Sequence, residues 1–227
     1  QGFVNTGPLP CTSNGWCWDN PVPQFGDYLG AWTDGQEGWL VGEQGLAVRF
    51  DGQRWRRIPT GTTEDLEAVW GASSTDVWIA GGDDVILRWN GRTLSAVSSP
   101  VRRPRPVSIH GSAANDVWII GAAALRWDGT RLQSHTSGVG LNDVFVRGPS
   151  AAYGVDDNGR VLVWDGRTWT STTSGTRNDL HTVFGTASEV WAAGERGTVI
   201  RDSGSGFRAG PSIGSTLSVS CKCVRNG

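Results

Sequence analysis

The segment Leu66-Glu-Ala-Val-Trp-Gly-Ala-Ser-Ser-Thr-Asp-Val-Trp-Ile-Ala-Gly81, followed by Ile86-Leu-Arg-Trp-Asn-Gly91, is one copy of a unit that runs through the whole chain. Its first apolar run recurs from Leu29, Leu66, Val107, Leu141 and Leu180, at steps of 37, 41, 34 and 39 residues. A second aromatic recurs at Trp39, Trp78, Trp118, Tyr153 and Trp191. A third follows at Phe50, Trp89, Trp127 and Trp164, and a fourth large residue at Trp55, Leu94, Leu132, Trp169 and Phe207. Each unit therefore holds four short apolar runs separated by Gly, Ser, Asn and Asp, which is the pattern of four strands joined by turns. No stretch keeps a helical period. Four antiparallel strands repeated at about 40 residues predict an all-β propeller of about five blades. A ring explains why every unit carries an aromatic at the same place: each blade faces an equivalent neighbour and must fill an equivalent wedge.

Composition agrees. The 227 residues include 33 Gly and 13 Trp, with 19% charged residues. So many Trp exclude a disordered chain, and Gly without a Gly-X-Y period excludes collagen. A net charge of -2 gives no footprint for nucleic acid or an anionic membrane. The longest apolar run, Val117–Leu125, is too short to span a bilayer as a helix. We read a single domain with blades at 29–65, 66–106, 107–140, 141–179 and 180–216, and closing segments at 1–28 and 217–227.

The four cysteines, Cys11, Cys17, Cys221 and Cys223, all lie in the closing segments. Their spacing, with no His nearby, favours disulfides over zinc and hence an oxidising compartment. The chain has no Met, which suggests a mature sequence after leader removal, secreted or at the cell surface or in the periplasm. Trp18 precedes Leu29 by the eleven residues that separate Trp55 from Leu66 and Trp169 from Leu180, so it reads as an outer strand. Leu217-Ser-Val-Ser-Cys221 matches Leu66–Trp70 and reads as an inner strand. If the two lie side by side, disulfides join the ends of the ring. Closing so long a loop would contribute about 4–5 kcal/mol in the chain-entropy view. Four cysteines allow three connectivities, and the pairing stays open.

The pattern carried by Leu66–Gly82, Asp116–Gly121 with Trp127-Asp-Gly, Trp164-Asp-Gly-Arg-Thr-Trp169 and Leu180–Gly194 resembles Trp-rich propeller repeats of exported proteins and lipoproteins of myxobacteria and related Gram-negative bacteria. The resemblance spans roughly residues 15–223 and implies a scaffold, not an activity. By size and blade number the chain also resembles small five-bladed animal lectins, a likeness of fold alone.

Catalytic signatures are thin. There is no GxSxG, HExxH, P-loop or dinucleotide fingerprint, and we expect no enzyme, no catalytic residue and no dedicated metal site. His110 occupies the position of Trp70, Phe145 and Phe184 and reads as a core aromatic substitute. The most regular polar feature is the turn between second and third strands: Val41-Gly-Glu-Gln-Gly45, Gly81-Gly-Asp-Asp84, Val155-Asp-Asp-Asn-Gly159 and Gly194-Glu-Arg-Gly197. The third unit has Ala122-Ala123 instead. Such turns favour Asp, Asn and Gly for backbone reasons alone. An up-and-down meander places them on the same face as the links that carry Asp65 and Arg177–Asp179. The candidate ligand-binding residues are therefore Glu43, Asp65, Asp84, Asp157, Arg177, Asp179, His181 and Glu195. Their oxygens could bond sugar hydroxyls, and calcium is the one cofactor they could hold. These features point first to a multivalent carbohydrate-binding, lectin-like propeller. A protein-interaction module of a surface complex is the alternative, and a glycan-acting hydrolase or lyase ranks third. In the interaction reading one sector dominates, such as the basic link Arg102-Arg-Pro-Arg-Pro106.

Overall fold

The computed structural model describes residues 27–135 and 137–210, together with the backbone of 223–225. Five four-stranded antiparallel meanders follow one another along the chain. Blade 1 comprises β1 (Tyr28–Thr33), β2 (Gly38–Gly42), β3 (Leu46–Phe50) and β4 (Trp55–Arg57). Blade 2 comprises β5 (Leu66–Ser73), β6 (Asp76–Gly81), β7 (Val85–Trp89) and β8 (Leu94–Ala96). Blade 3 is β9 (Pro106–Ala113), β10 (Asp116–Gly121), β11 (Ala124–Trp127) and β12 (Leu132–Ser134). Blade 4 is β13 (Asp143–Gly148), β14 (Ala151–Val155), β15 (Val161–Trp164) and β16 (Trp169–Thr172). Blade 5 is β17 (Leu180–Gly185), β18 (Val190–Gly194), β19 (Val199–Asp202) and β20 (Arg208–Ala209). A further strand, β21 (Cys223–Arg225), pairs in parallel with β1. The architecture is the five-bladed all-β propeller that the repeat predicts.

Cys11, Cys17, Cys221, Trp18 and Leu217–Cys221 lie outside the described residues. The first strands of blades 1 and 3 begin one residue before the apolar runs suggest, at Tyr28 and Pro106. A β-bulge lies near the start of the first strand in blades 1, 2, 3 and 5, with Leu29, Glu67, Val107 and His181 as the extra residues, and in blades 1 and 3 the extra residue is the apolar one from which the run is read. A bulge adds a residue to one strand only, so it breaks the period on which a sequence reading depends.

Blades lock together through aromatic rings. Trp32 of β1 lies against Gly71 of β5, where an added Cβ would come within 2.6 Å of the ring. Trp70 sits against Gly111 at the same 2.6 Å, and Phe145 against Gly185 at 2.8 Å. One layer out, Trp89 meets Trp39, Trp127 meets Trp78, and Trp164 meets Trp118, at centroid distances of 5.4, 5.2 and 4.9 Å. Such pairs contribute about 0.5–1.5 kcal/mol beyond the burial of the rings themselves, and the burial is the larger effect.

A charged tie runs behind each ring pair. Arg88 donates to both carboxylate oxygens of Asp76, at 2.7 and 3.0 Å, and stacks over Trp78 and Trp127. Arg49 with Glu37, Arg126 with Asp116 and Arg201 with Glu189 repeat the pair in blades 1, 3 and 5. The acid that opens Asp-Val-Trp is thus an arginine partner. Blade 4 has Ala151 and Val163 at these positions.

Blade 4 is fixed by a buried carboxylate instead. Asp143 accepts from Ser108 Oγ of blade 3 at 2.6 Å and from Thr182 Oγ1 and the Val183 N–H of blade 5, both at 2.9 Å. Burial pushes its carboxyl above the usual carboxylate range, with these donors opposing the shift.

His110 stands between Trp70 and Phe145 and accepts the Val146 N–H on Nδ1 at 3.1 Å. Burial lowers it to about 4. Its folded value lies below its unfolded one, so its contribution is fully present above about 6.5 and is lost as pH falls towards 4. The His110→Phe variant, which copies blades 4 and 5, should remove roughly 2–3 kcal/mol of acid destabilisation across that window, read by urea unfolding at pH 7 and pH 4. Gly111→Ala should destabilise by about 3 kcal/mol, because neither the Trp70 ring nor the Asp116 carbonyl can yield easily. Gly148→Ala, where no atom lies within 4 Å of the added Cβ, should change stability by under about 0.5 kcal/mol in the same assay.

Candidate functional site

The β2–β3 turns and their equivalents share one face with the links between blades. In blade 1 the turn Glu43–Gly45 is a single 3-10 turn with Gln44 in the left-handed region, at φ 53°. Asn158 and Arg196 hold the same conformation in blades 4 and 5, at φ 82° and 55°. Left-handed backbone in a residue with a side chain needs support from its surroundings. Two of the candidate acids give that support. The Gln44 N–H donates to Asp65 Oδ1 at 2.9 Å, and the Asn158 N–H donates to Asp179 Oδ1 at 2.9 Å. In each case a link carboxylate clamps the turn of the preceding blade, 21 residues upstream.

The other candidate residues are placed as follows. Glu43 is half-buried, and its N–H donates to the Asp27 carbonyl. Asp84 and Glu195 are exposed on their turns. Asp157 is exposed and accepts from Asn142 Nδ2 at 2.8 Å. His181 is exposed at the bulge of β17. Arg177 is exposed beside a cleft of about 520 Å³ lined by the hydroxyls of 171–174 and 176. The turns lie one per blade, so these eight residues do not converge on one point. Among the described residues no group of three or more His, Cys, Asp or Glu is arranged to hold a metal ion.

The structure brings together a different set. Between blades 3 and 4 lies a groove of about 490 Å³. One wall is Arg105 and Val107, the floor is Gly121 with Ala122, and the far wall is Asn142 with Asp157. The groove opens where the third blade carries Ala122-Ala123 in place of a polar turn. The link before it is built differently as well. Arg105 reaches Asp83 of blade 2 at 3.2 Å, and Arg103 reaches the same carboxylate at 3.5 Å. Both arginines sit at positive φ, 45° and 48°. Beneath the far wall Asp156, almost fully buried, accepts from Arg160 Nε at 2.7 Å. This groove shares Asn158 and Arg160 with the hydroxyl-lined cleft, so the two depressions flank one turn. Asn142 and Arg160 carry no sequence signal. The Ala122-Ala123 departure and the basic link were the two visible marks.

No family model matches the chain, and a search of curated proteins finds no relative. Solved structures do match. A catalytically inactive virginiamycin B lyase from Staphylococcus aureus with quinupristin superposes with a TM-score of 0.73 at 14% identity, covering 88% of this chain and 75% of that one. YCF48 bound to D1 peptide gives 0.67 at 17% identity, over 90% of this chain and 74% of the other. A nidogen/laminin complex gives 0.61 at 12% identity, over 85% and 83%. These likenesses show the propeller fold. The scaffold part of the resemblance read from the sequence stands; the narrower bacterial group gains nothing from them.

The clamp has a measurable consequence. Asp65→Ala and Asp179→Ala should each lower stability by about 1 kcal/mol, since the lost acceptor is exposed and water replaces it in part. Amide exchange at Gln44 and Asn158 should speed up in the respective variant and not in the other.

Proposed function

We propose that this chain is an exported recognition propeller that binds an extended protein segment in the groove between blades 3 and 4. One observation carries the reading: the polar rim is not five equivalent sites, and the groove forms at the blade where the repeat is broken. A multivalent lectin calls for the same free ligand groups on several blades, but Asp65 and Asp179 each hold a neighbouring backbone turn. The groove offers what an extended chain needs. Asn142 Oδ1 and the Asp157 carboxylate supply acceptors, Arg105 supplies charge and N–H donors, and Val107 with Ala122 supplies apolar contact. Two of the similar structures, YCF48 with D1 peptide and the nidogen/laminin complex, are themselves protein assemblies, which supports this class of partner.

The test uses a display library of linear twelve-residue peptides and a glycan array, each probed with the parent chain and with Ala122→Trp. Ala122 is exposed, so the larger side chain fills the groove without entering the core. Peptides enriched on the parent should bind Ala122→Trp at least tenfold more weakly. Glycan binding that survives Ala122→Trp and falls with Asp84→Ala or Glu195→Ala would overturn the proposal in favour of a rim lectin.

A further inference from the structure

Each blade closes its middle hairpin at an equivalent pair of cross-strand neighbours. These are Val41 with Ala47, Ala80 with Ile86, Ile120 with Ala124, Val155 with Val161 and Ala193 with Val199. The residue after the first member is Gly42, Gly81, Gly121 and Gly194 in four blades, and Asp156 in blade 4. At those four glycines an added Cβ would lie 1.8–2.0 Å from the carbonyl oxygen just before the first strand. Blade 4 therefore parts from the common backbone path to admit a side chain here. The residue before the second member is Leu46, Val85, Ala123 and Thr198 in the same four blades, and Arg160 in blade 4.

These two exceptions are partners. Asp156 Oδ1 accepts the Arg160 backbone N–H at 3.0 Å, and Oδ2 lies 2.7 Å from Nε and 2.6 Å from Nη2. The acid's side chain is 3% exposed and the arginine's 44%. Burial pushes the Asp156 carboxyl above the usual carboxylate range, with Arg160 opposing the shift. A buried ion pair is often no more stable than an apolar fill, and four blades close this hairpin without one. What the pair does achieve is a guanidinium held in place, with its Nη1 donors unpartnered among the described residues.

That guanidinium borders the hydroxyl-lined cleft as well as the groove. Arg177, the cleft's other cation, is exposed and has no partner among the described residues. The hydroxyls of Ser171, Thr172 and Thr173 make no hydrogen bond among the described residues either, and no acid lines the cleft. The backbones that carry the two arginines are clamped together. Gly159 is pressed onto the link, where an added Cβ would lie 2.8 and 2.9 Å from the Thr176 and Asn178 carbonyl oxygens. Asp179 Oδ1 holds the Asn158 N–H beside it. Donors and positive charge at a fixed spacing, with no counter-charge, suit a carboxylate.

We propose that the segment bound in the groove carries an aspartate or glutamate whose carboxylate seats in this cleft with Arg160 and Arg177, and that Asp156 positions Arg160 for it. This inference rests on the groove reading above and adds the chemistry of its partner. Groove and cleft meet at Asn158 and Arg160, so one side chain of the segment can turn from the first into the second.

Calorimetric titration tests this with a peptide enriched on the parent chain, used as selected and with each acid in turn replaced by its amide. At one position the amide should weaken binding to the parent about tenfold. Arg177→Gln should weaken the acidic peptide about tenfold and leave the amide peptide within about twofold. Asp156→Gly, which copies the other four blades, should erase the same preference with Arg160 still present. A merely structural role for Asp156 would instead lower affinity for both peptides alike. Should Asp156→Gly fail to fold, Arg177→Gln decides alone, since its side chain has no partner to lose. A peptide that Ala122→Trp blocks, but whose acids can all become amides without loss, would overturn this inference and leave the groove standing. Equal weakening of both peptides by Arg177→Gln would overturn it too. Peptides indifferent to Ala122→Trp, or no bound peptide at all, would overturn the groove reading and this inference with it.

Discussion

An aromatic ring resting on a glycine of the next blade sets the spacing of this molecule. Trp32 on Gly71, Trp70 on Gly111 and Phe145 on Gly185 put a flat side chain where the neighbour presents bare backbone, and no other residue could stand in the glycine's place. The blades therefore approach closely along their inner strands and splay outward, where Trp89, Trp127 and Trp164 fill the widening wedge. The acid–arginine pairs follow from this geometry. With the rings fixed, a guanidinium can lie over two indoles at once, as Arg88 does at 5.0 and 4.9 Å, while its carboxylate partner satisfies its donors. The ring pairs dominate in energy, and the arginines fix orientation.

This constraint explains how much was legible. A ring of equivalent wedges repeats its side chains, so blade number and aromatic positions can be read by laying the chain on itself. Strand register is less legible, because Leu29, Glu67, Val107 and His181 are bulge residues that displace the inner strand by one. The partner of a polar residue is the least legible of all. Asp76 looks like a turn cap from its position, and only the pairing of Trp78 with Arg88 across β6 and β7 shows which cation it meets. Asp65 and Asp179 were visible as rim carboxylates, but the turns they clamp lie on the blade before.

Blade 4 shows what happens where the repeat lapses. With Ala151 and Val163 in place of the acid and the arginine, it lacks the outer tie that the other four blades share. Its inner strand compensates through Asp143, which reaches Ser108 on one side and Thr182 with the Val183 N–H on the other. These are one register position in three adjacent blades, occupied by Gly30 and Ala68 in the first two. A buried carboxylate with four donors is directional where apolar contact is not, so it fixes the relative rotation of three blades and not only their distance.

The groove lies beside that fixed point. Its far wall, Asn142 and Asp157, belongs to blade 4, and Asn142 is the residue next to Asp143 and also donates to the Leu180 carbonyl of blade 5. A recognition site needs walls that do not drift when its occupant leaves, because ordering them on binding would subtract from affinity. The sequence departs from its repeat twice in one sector: Ala122-Ala123 removes a turn's polar groups and opens the space, and Asp143 with Asn142 pins the wall across from it. In blades 1, 2 and 4 a link carboxylate or arginine closes onto the turn before it, a contact that the Ala122-Ala123 turn does not offer. The asymmetry of the rim and the buried polar knot of blade 4 are thus two parts of one arrangement, an opening and the support that keeps it open.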